Sequence, residues 1–256
     1  MKLDIALIQN SLIWEDIASN LRHFSLILDN LKPETDLIIL PEMFTSGFTM
    51  NPEKVATPMH GEVVQWMQMQ AHKHQSAIMG SVVMEEHGKH FNRLLFVNSK
   101  GEIAYYDKKH LFSLAGENQF YQAGNQKLII NYKEWKICPL ICYDLRFPVF
   151  SRNVENYDLL IYVANWPKVR TNAWDILLKA RAVENMAYTV GVNRIGHDEK
   201  GHEYIGHSQV IDYLGNEILS PQENEGVFYV KLEKQPLLET REKLNFLADR
   251  DEFELR

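Results

Sequence analysis

The chain of 256 residues is 45% hydrophobic and 24% charged, with a formal net charge of −7. That length suits one large α/β domain or two small ones, with ample apolar content for a core. The acidic balance, with no basic run interleaved with aromatics, argues against a nucleic-acid binder, which needs Lys and Arg clustered against phosphate. No run approaches the ~20 apolar residues of a membrane helix, and Asp4 interrupts the first apolar stretch where a signal peptide would be continuous. A cytoplasmic location without a membrane partner is therefore expected.

In chain order, Lys2 to Gln9 reads as a buried strand. Ile17, Leu21, Phe24, Leu28 and Leu31 then recur at the spacing of an amphipathic helix. Asp36 to Leu40 is a second buried strand, closed by Pro41, and Gly61 to Gln75 a second helix with Val64, Met67 and Ala71 on one side. Strands at 77–84, 91–97 and 102–107, separated by the turn-like EEHGKH and NSKG, form an antiparallel meander. A long irregular stretch, Lys109 to Asn125, leads to strands near 127–131 and 135–142.

The second half repeats the theme. A helix is expected over Arg146 to Glu155, a buried strand over Tyr157 to Ala164, a helix over Thr171 to Met186 and a strand over Tyr188 to Asn193. Strands near 204–211, 217–219 and 226–231 follow. The charged tail, Leu232 to Arg256, shows no core face and reads as a solvated end or an arm lying on something else. No linker or low-complexity tract divides the chain, so a single domain, 1–256, is expected. Two β-α-β segments with added antiparallel strands suit mixed sheets with helices on their outer faces.

Three places share one pattern: a buried strand, a reactive side chain, then a loop. They deliver Glu42 after DLIIL, Lys108, Lys109 and His110 after EIAYYD, and Cys142 after WKICPLI. Ligands collect beyond the carboxyl ends of strands in α/β sheets, so a base, a cation and a thiol can meet there. Glu42 would take the thiol proton, lysine would stabilise thiolate and oxyanion, and the Tyr143 N–H would add a second oxyanion contact. Spacing alone does not choose between Lys108 and Lys109.

Cys138 and Cys142, the only cysteines, would lie about 13 Å apart on one strand, too far for a disulfide. A Cys–His pair using His110 or His207 is the rival catalytic plan. His72 and His74, at i and i+2 on one helix, do not share a face for a metal, and no phosphate loop occurs.

LPEMFTSGF (40–48), YDKKHLF (106–112) and LICYDLRFPVFSRN (140–153) resemble the three signature stretches of the nitrilase superfamily of carbon–nitrogen hydrolases. The likeness continues through 162–194 and 207–215, and PEMFTSGF, CYDLRFP and ANWP together look like the bacterial omega-amidase branch. The resemblance implies a four-layer α-β-β-α sandwich and a Glu–Lys–Cys triad of Glu42, Lys108 and Cys142, with Glu117 as a second glutamate that orients lysine and substrate. It implies hydrolysis of the terminal amide of a short 2-oxo acid, such as 2-oxoglutaramate or 2-oxosuccinamate, with no metal or cofactor.

Arg146, Lys168, Arg170 and Arg194 are candidate partners for the substrate's negative charge; Arg146 reads equally as a structural ion-pair partner. Phe44, Trp166 and Tyr143 are expected pocket walls. The resemblance also implies a homodimer or larger homo-oligomer, with the tail 232–256 reaching across to a partner subunit. The rival readings are a sibling hydrolase of another amide or an N-carbamoyl compound, and, from a different class, a binding protein that keeps the fold without the chemistry.

Overall fold

The computed structural model describes residues 1–254. Fourteen strands, β1 to β14, span Lys2–Gln9, Leu37–Ile39, Ala77–Glu86, Lys89–Val97, Ile103–Asp107, Ile130–Tyr132, Trp135–Ile141, Leu159–Ala164, Tyr188–Asn193, Ile195–His197, Glu203–Ile205, Ser208–Ile211, Glu217–Gln222 and Gly226–Glu233. They build two six-stranded mixed sheets, ordered β14-β1-β2-β3-β4-β5 and β13-β12-β9-β8-β7-β6, plus the β10-β11 hairpin. In each sheet three parallel strands (β1, β2, β3 and β9, β8, β7) are extended by antiparallel ones.

Side-chain alternation along β1 explains the layering. Leu3, Ile5 and Leu7 enter the core between the sheets, while Ala6 and Ile8 face outward. The outward set packs against Phe24 and Leu28 of helix Ile17–Leu28 and against Val63, Val64, Met67 and Ala71 of helix Glu62–His74. On the other sheet Trp174, Leu178 and Ala182 of helix Thr171–Asn185 close the outer face. The result is the expected α-β-β-α sandwich. Gly191 on β9 is what lets that last helix settle, since a Cβ there would lie 2.5 Å from Leu178 and 2.6 Å from Trp174.

Three expected elements differ. The helix over 146–155 is instead a 3₁₀ turn, Cys142–Arg146, followed by a single helical turn, Pro148–Ser151, because Pro148 restarts the helix and Asn153 ends it by bonding Tyr157 backbone. The strand over 204–211 is broken by left-handed Gly206 and His207, with φ of 76° and 60°. The tail has a core face after all: β14 pairs along β1, and helix Lys234–Leu244 buries Leu237. Arg241 pins that helix to the second sheet and its loops, donating to the Met186 and Tyr157 carbonyls at 2.7 and 2.5 Å. One leucine and an arginine make no apolar stripe, so hydrophobic periodicity could not find it.

Candidate active site

The three strand ends meet at the floor of a cleft of about 380 Å³. Glu42 follows β2, Lys108 follows β5 and Cys142 follows β7. All three line the cleft, with Phe48, Phe112, Tyr143, Asn165, Trp166 and the β10-β11 hairpin around them. Backbone geometry presents two of them unusually. Met43, just after the glutamate, and Cys142 itself both sit in the left-handed region, each with φ 43°, a conformation that costs a non-glycine residue about 1–2 kcal/mol. At Cys142 this turns the chain from strand into 3₁₀ turn and frees the thiol from the sheet face.

Lys108 is fully buried and donates to Glu42 Oε1 at 2.9 Å and to Glu117 at 3.1 and 3.0 Å. Glu117 also accepts the Phe112 N–H at 2.6 Å, which ties the 109–125 stretch over the lysine. Burial would lower the Lys108 pKa, but Glu117 and Glu42 outweigh it and hold the ammonium charged. Glu117 is pushed up by burial, against the pull of Lys108. Glu42 Oε2 accepts the Asn165 N–H at 2.7 Å, and the Asn165 side chain returns to the Glu42 carbonyl at 2.6 Å.

The Cys142 thiol lines the cleft floor with Glu42 and reaches the Asn165 carbonyl at 4.0 Å. Burial raises its pKa well above the usual thiol range; the charge of Glu42 adds to the rise, and Lys108 opposes it without prevailing. The direction of that shift favours the thiol over the lysine-stabilised thiolate expected from the sequence. Tyr143, second in its 3₁₀ turn, has a backbone N–H with no acceptor inside that turn.

Asp144 locks this elbow to the lysine loop. Fully buried, it accepts the Ile141 and His110 N–H groups, each at 3.0 Å, the His110 ring at 2.8 Å and the Tyr106 hydroxyl at 2.7 Å. His110 is thereby occupied behind the site, stacked on Phe147 at 3.7 Å, and His207 is held by Asp175 at 2.9 Å. Neither histidine lines the cleft. The Cys–His plan fails on geometry.

The structure brings Glu42, Lys108, Glu117 and Cys142 together and puts Tyr143, Trp166 and Arg146 on the cleft wall. Phe44 is a correction. Its N–H bonds the Ser81 carbonyl, and its ring is buried between Phe24 and Trp66, on the outer side of the first sheet. Gly80 makes room for it, since a Cβ there would lie 3.0 Å from the ring. Phe48, one loop turn later, lines the cleft instead, with Lys108 Nζ 5.2 Å from its ring centroid.

The candidate cations also separate. Lys168 is paired with Glu203 at 2.9 Å. Arg194 is buried on carbonyls away from the cleft. Arg146, over the Trp166 ring at 5.0 Å, and Arg170, over Phe112 at 5.2 Å, line the cleft and have no carboxylate partner among the described residues. The ion-pair reading of Arg146 finds no partner there. Sequence reasoning missed Asn165, which follows its strand in the same way as Glu42, and Asn92, a buried polar residue inside β4 with no motif around it.

Comparison with known proteins agrees with this geometry. The carbon–nitrogen hydrolase family model matches residues 4–242. The chain is similar to Omega-amidase YafV of Yersinia enterocolitica, 43% identical over 255 residues and 98% of each chain. It is also similar to the 2-oxoglutaramate amidase of Bacillus subtilis, 28% identical over 254 residues, covering 97% of this chain and 98% of that one. Among solved structures, XC1258 of Xanthomonas campestris, a CN-hydrolase superfamily protein with an arsenic adduct in its active site, superposes with a TM-score of 0.97 at 42% identity over 100% of both chains. The chain belongs to the carbon–nitrogen hydrolase family.

Proposed function

We propose that this protein is an omega-amidase that releases ammonia from the terminal amide of a short 2-oxo acid, such as 2-oxoglutaramate or 2-oxosuccinamate. The observation that carries the chemistry is the convergence of the Cys142 thiol, Glu42 and its partner Lys108 on one cleft floor. The names of the full-length relatives supply the substrate class.

In the proposed reaction Glu42 takes the thiol proton as Cys142 Sγ bonds to the amide carbon. A neutral thiol needs this help at the moment of attack. The carbonyl electron pair moves onto oxygen, where Lys108 Nζ–H and the Tyr143 N–H receive it. Collapse breaks the C–N bond, and the proton on Glu42 leaves with the nitrogen as ammonia. Water then attacks the thioester, giving its proton to Glu42. The C–S bond breaks, and the proton returns to sulfur.

Glu117 holds Lys108 in place, while Arg146 and Arg170 take the substrate carboxylate at the mouth. Trp166, Phe48 and Phe112 exclude water from the developing charge. The residues present complete every proton transfer, so the reading requires no metal or organic cofactor.

Assembly and location extend the proposal. Ile176 and Val183, 58% and 47% exposed on helix Thr171–Asn185, Leu214 in the turn beside Val183, and Phe246 and Phe253 in the tail are exposed apolar side chains. These apolar side chains suit a homodimer or larger homo-oligomer, which light scattering would detect. No helix among the described residues is long and apolar enough to cross a membrane, and two free thiols fit a cytoplasmic location.

The test is ammonia release by the purified protein from 2-oxosuccinamate and 2-oxoglutaramate, beside glutamine, asparagine and an N-carbamoyl amino acid. Fast release from the two oxo-amides alone supports the reading. Activity confined to another amide keeps the chemistry and moves the substrate.

A further inference from the structure

Glu42 and Glu117 share more than Lys108. Their Oε1 atoms accept from Lys108 Nζ at 2.9 and 3.1 Å and also from Asn92 Nδ2 at 2.8 and 3.2 Å. The four groups close a ring in which an ammonium and a neutral amide bridge the same two oxygens. All four side chains are fully buried.

Two carboxylates held this close repel one another. An ammonium has three protons. If it alone held both carboxylates, any shift to compensate their repulsion would draw it away from the oxyanion. Two of the three Lys108 contacts go to the two oxygens of one carboxylate, Glu117. A second, uncharged bridge shares the load, so that one proton can serve both of those oxygens and release another for the oxyanion.

The orientation of Asn92 is itself fixed. Its Oδ1 accepts from Ser81 Oγ at 2.8 Å, and Ser81 Oγ accepts the Met43 N–H at 2.9 Å. The Met43 amide can only donate, so the single hydroxyl proton goes to Asn92. A flipped amide would point its oxygen at two carboxylates and its NH₂ at the hydroxyl. Ser81 and Asn92 are diagonal neighbours on paired strands, since Asn92 stands opposite Val83. Ser81 therefore grips the base twice, through the left-handed Met43 backbone and through Asn92.

We propose that Ser81 and Asn92 are positioning residues of the reaction: Ser81 orients Asn92, and Asn92 holds Glu42 and Glu117 so that Lys108 stays directed at the oxyanion. Neither touches the reacting atoms. The inference rests on the Glu42–Lys108–Cys142 chemistry proposed above but not on the identity of the amide. Glu42, Glu117, Lys108, Cys142 and Tyr121 are the titratable groups around this cluster.

The test compares kcat, KM and their pH profiles for wild type, Asn92→Ala, Asn92→Asp, Ser81→Ala and the Ser81→Ala/Asn92→Ala double variant. The substrate is whichever amide of the panel the wild type cleaves fastest, so a wrong substrate class shows in the wild type alone. Asn92→Ala is expected to lower kcat by about 10²-fold, the cost of one preorganised donor, with KM within roughly threefold. Asn92→Asp should have its optimum displaced to lower pH, where the new carboxyl is protonated and can donate. Ser81→Ala should cost about fivefold alone and distinctly less in the Asn92→Ala background, where only its contact with the Met43 N–H is left to lose.

A kcat for Asn92→Ala within twofold of wild type overturns the proposal. So does a Ser81→Ala effect that persists undiminished when Asn92 is already alanine. If Asn92→Ala melts too low to assay, Asn92→Asp decides: an unshifted pH optimum refutes the bridge.

Discussion

Cys138 and Cys142 stand four residues apart, one inside β7 and one just past its end, and the chain treats them as different chemical groups. Cys138 is wholly buried on the face of β7 turned away from the other sheet, its thiol pushed up by burial, with the Lys127 charge as the counter-effect. Cys142 is also pushed up, yet a base and a cation lie beside it and a cleft opens above it. Desolvation alone makes a thiol inert. What separates the proposed nucleophile from a small core residue here is the left-handed turn at Cys142 and the charged pair waiting at its exit.

The sharpest way to break that contrast is to remove the cation. Lys108→Met leaves Glu42 and Glu117 buried against each other. It should lower kcat/KM by at least about 10³-fold and stability by about 3–5 kcal/mol, read by steady-state kinetics and urea unfolding. Lys109→Ala, one residue along and half-buried without an ion pair, should stay within about twofold of wild type. Equal effects would refute the assignment of the lysine.

The next contrast is in pH. Because the Cys142 pKa is raised, its thiolate forms only at high pH. Alkylation by iodoacetamide should therefore climb above the ~8.5 midpoint of a free cysteine. Glu42→Gln removes a negative neighbour and should move that rise to lower pH while turnover falls. A labelling plateau already reached at neutral pH in the wild type would contradict a resting thiol.

Smaller effects sharpen the edges. Arg146→Ala should raise KM for a 2-oxo amide about tenfold, the worth of one charge-assisted contact, and leave kcat nearly unchanged. Cys138→Ala should cost only about 1–2 kcal/mol of stability through a small cavity, with turnover within twofold.

How much of this was legible in the chain depends on the kind of signal. β1 and the first two long helices follow from apolar periodicity, which burial on one face writes directly into sequence. Glu42 and Cys142 stand out because each ends an apolar run with a polar residue. Choosing Lys108 over Lys109, and noticing Glu117 at all, needed the family resemblance, since both decisions depend on where a loop folds back. Phe44 and Phe48 look interchangeable in LPEMFTSGF, and only the approach of Gly80 and Trp66 decides which one is core. Asn92 and Asp144 carry no local signal, because their partners lie in other strands and loops. The tail helix was missed because arginine, not an apolar stripe, docks it.

The most direct test of the central claim is to trap the intermediate. Wild type mixed with 2-oxosuccinamate or 2-oxoglutaramate and quenched in acid within a turnover is digested and analysed by mass spectrometry. The account predicts that the peptide bearing Cys142 gains the mass of the substrate less ammonia. The peptide from Cys142→Ala should gain nothing while that variant stays folded. An adduct on any other residue, or full turnover by Cys142→Ala, would contradict it.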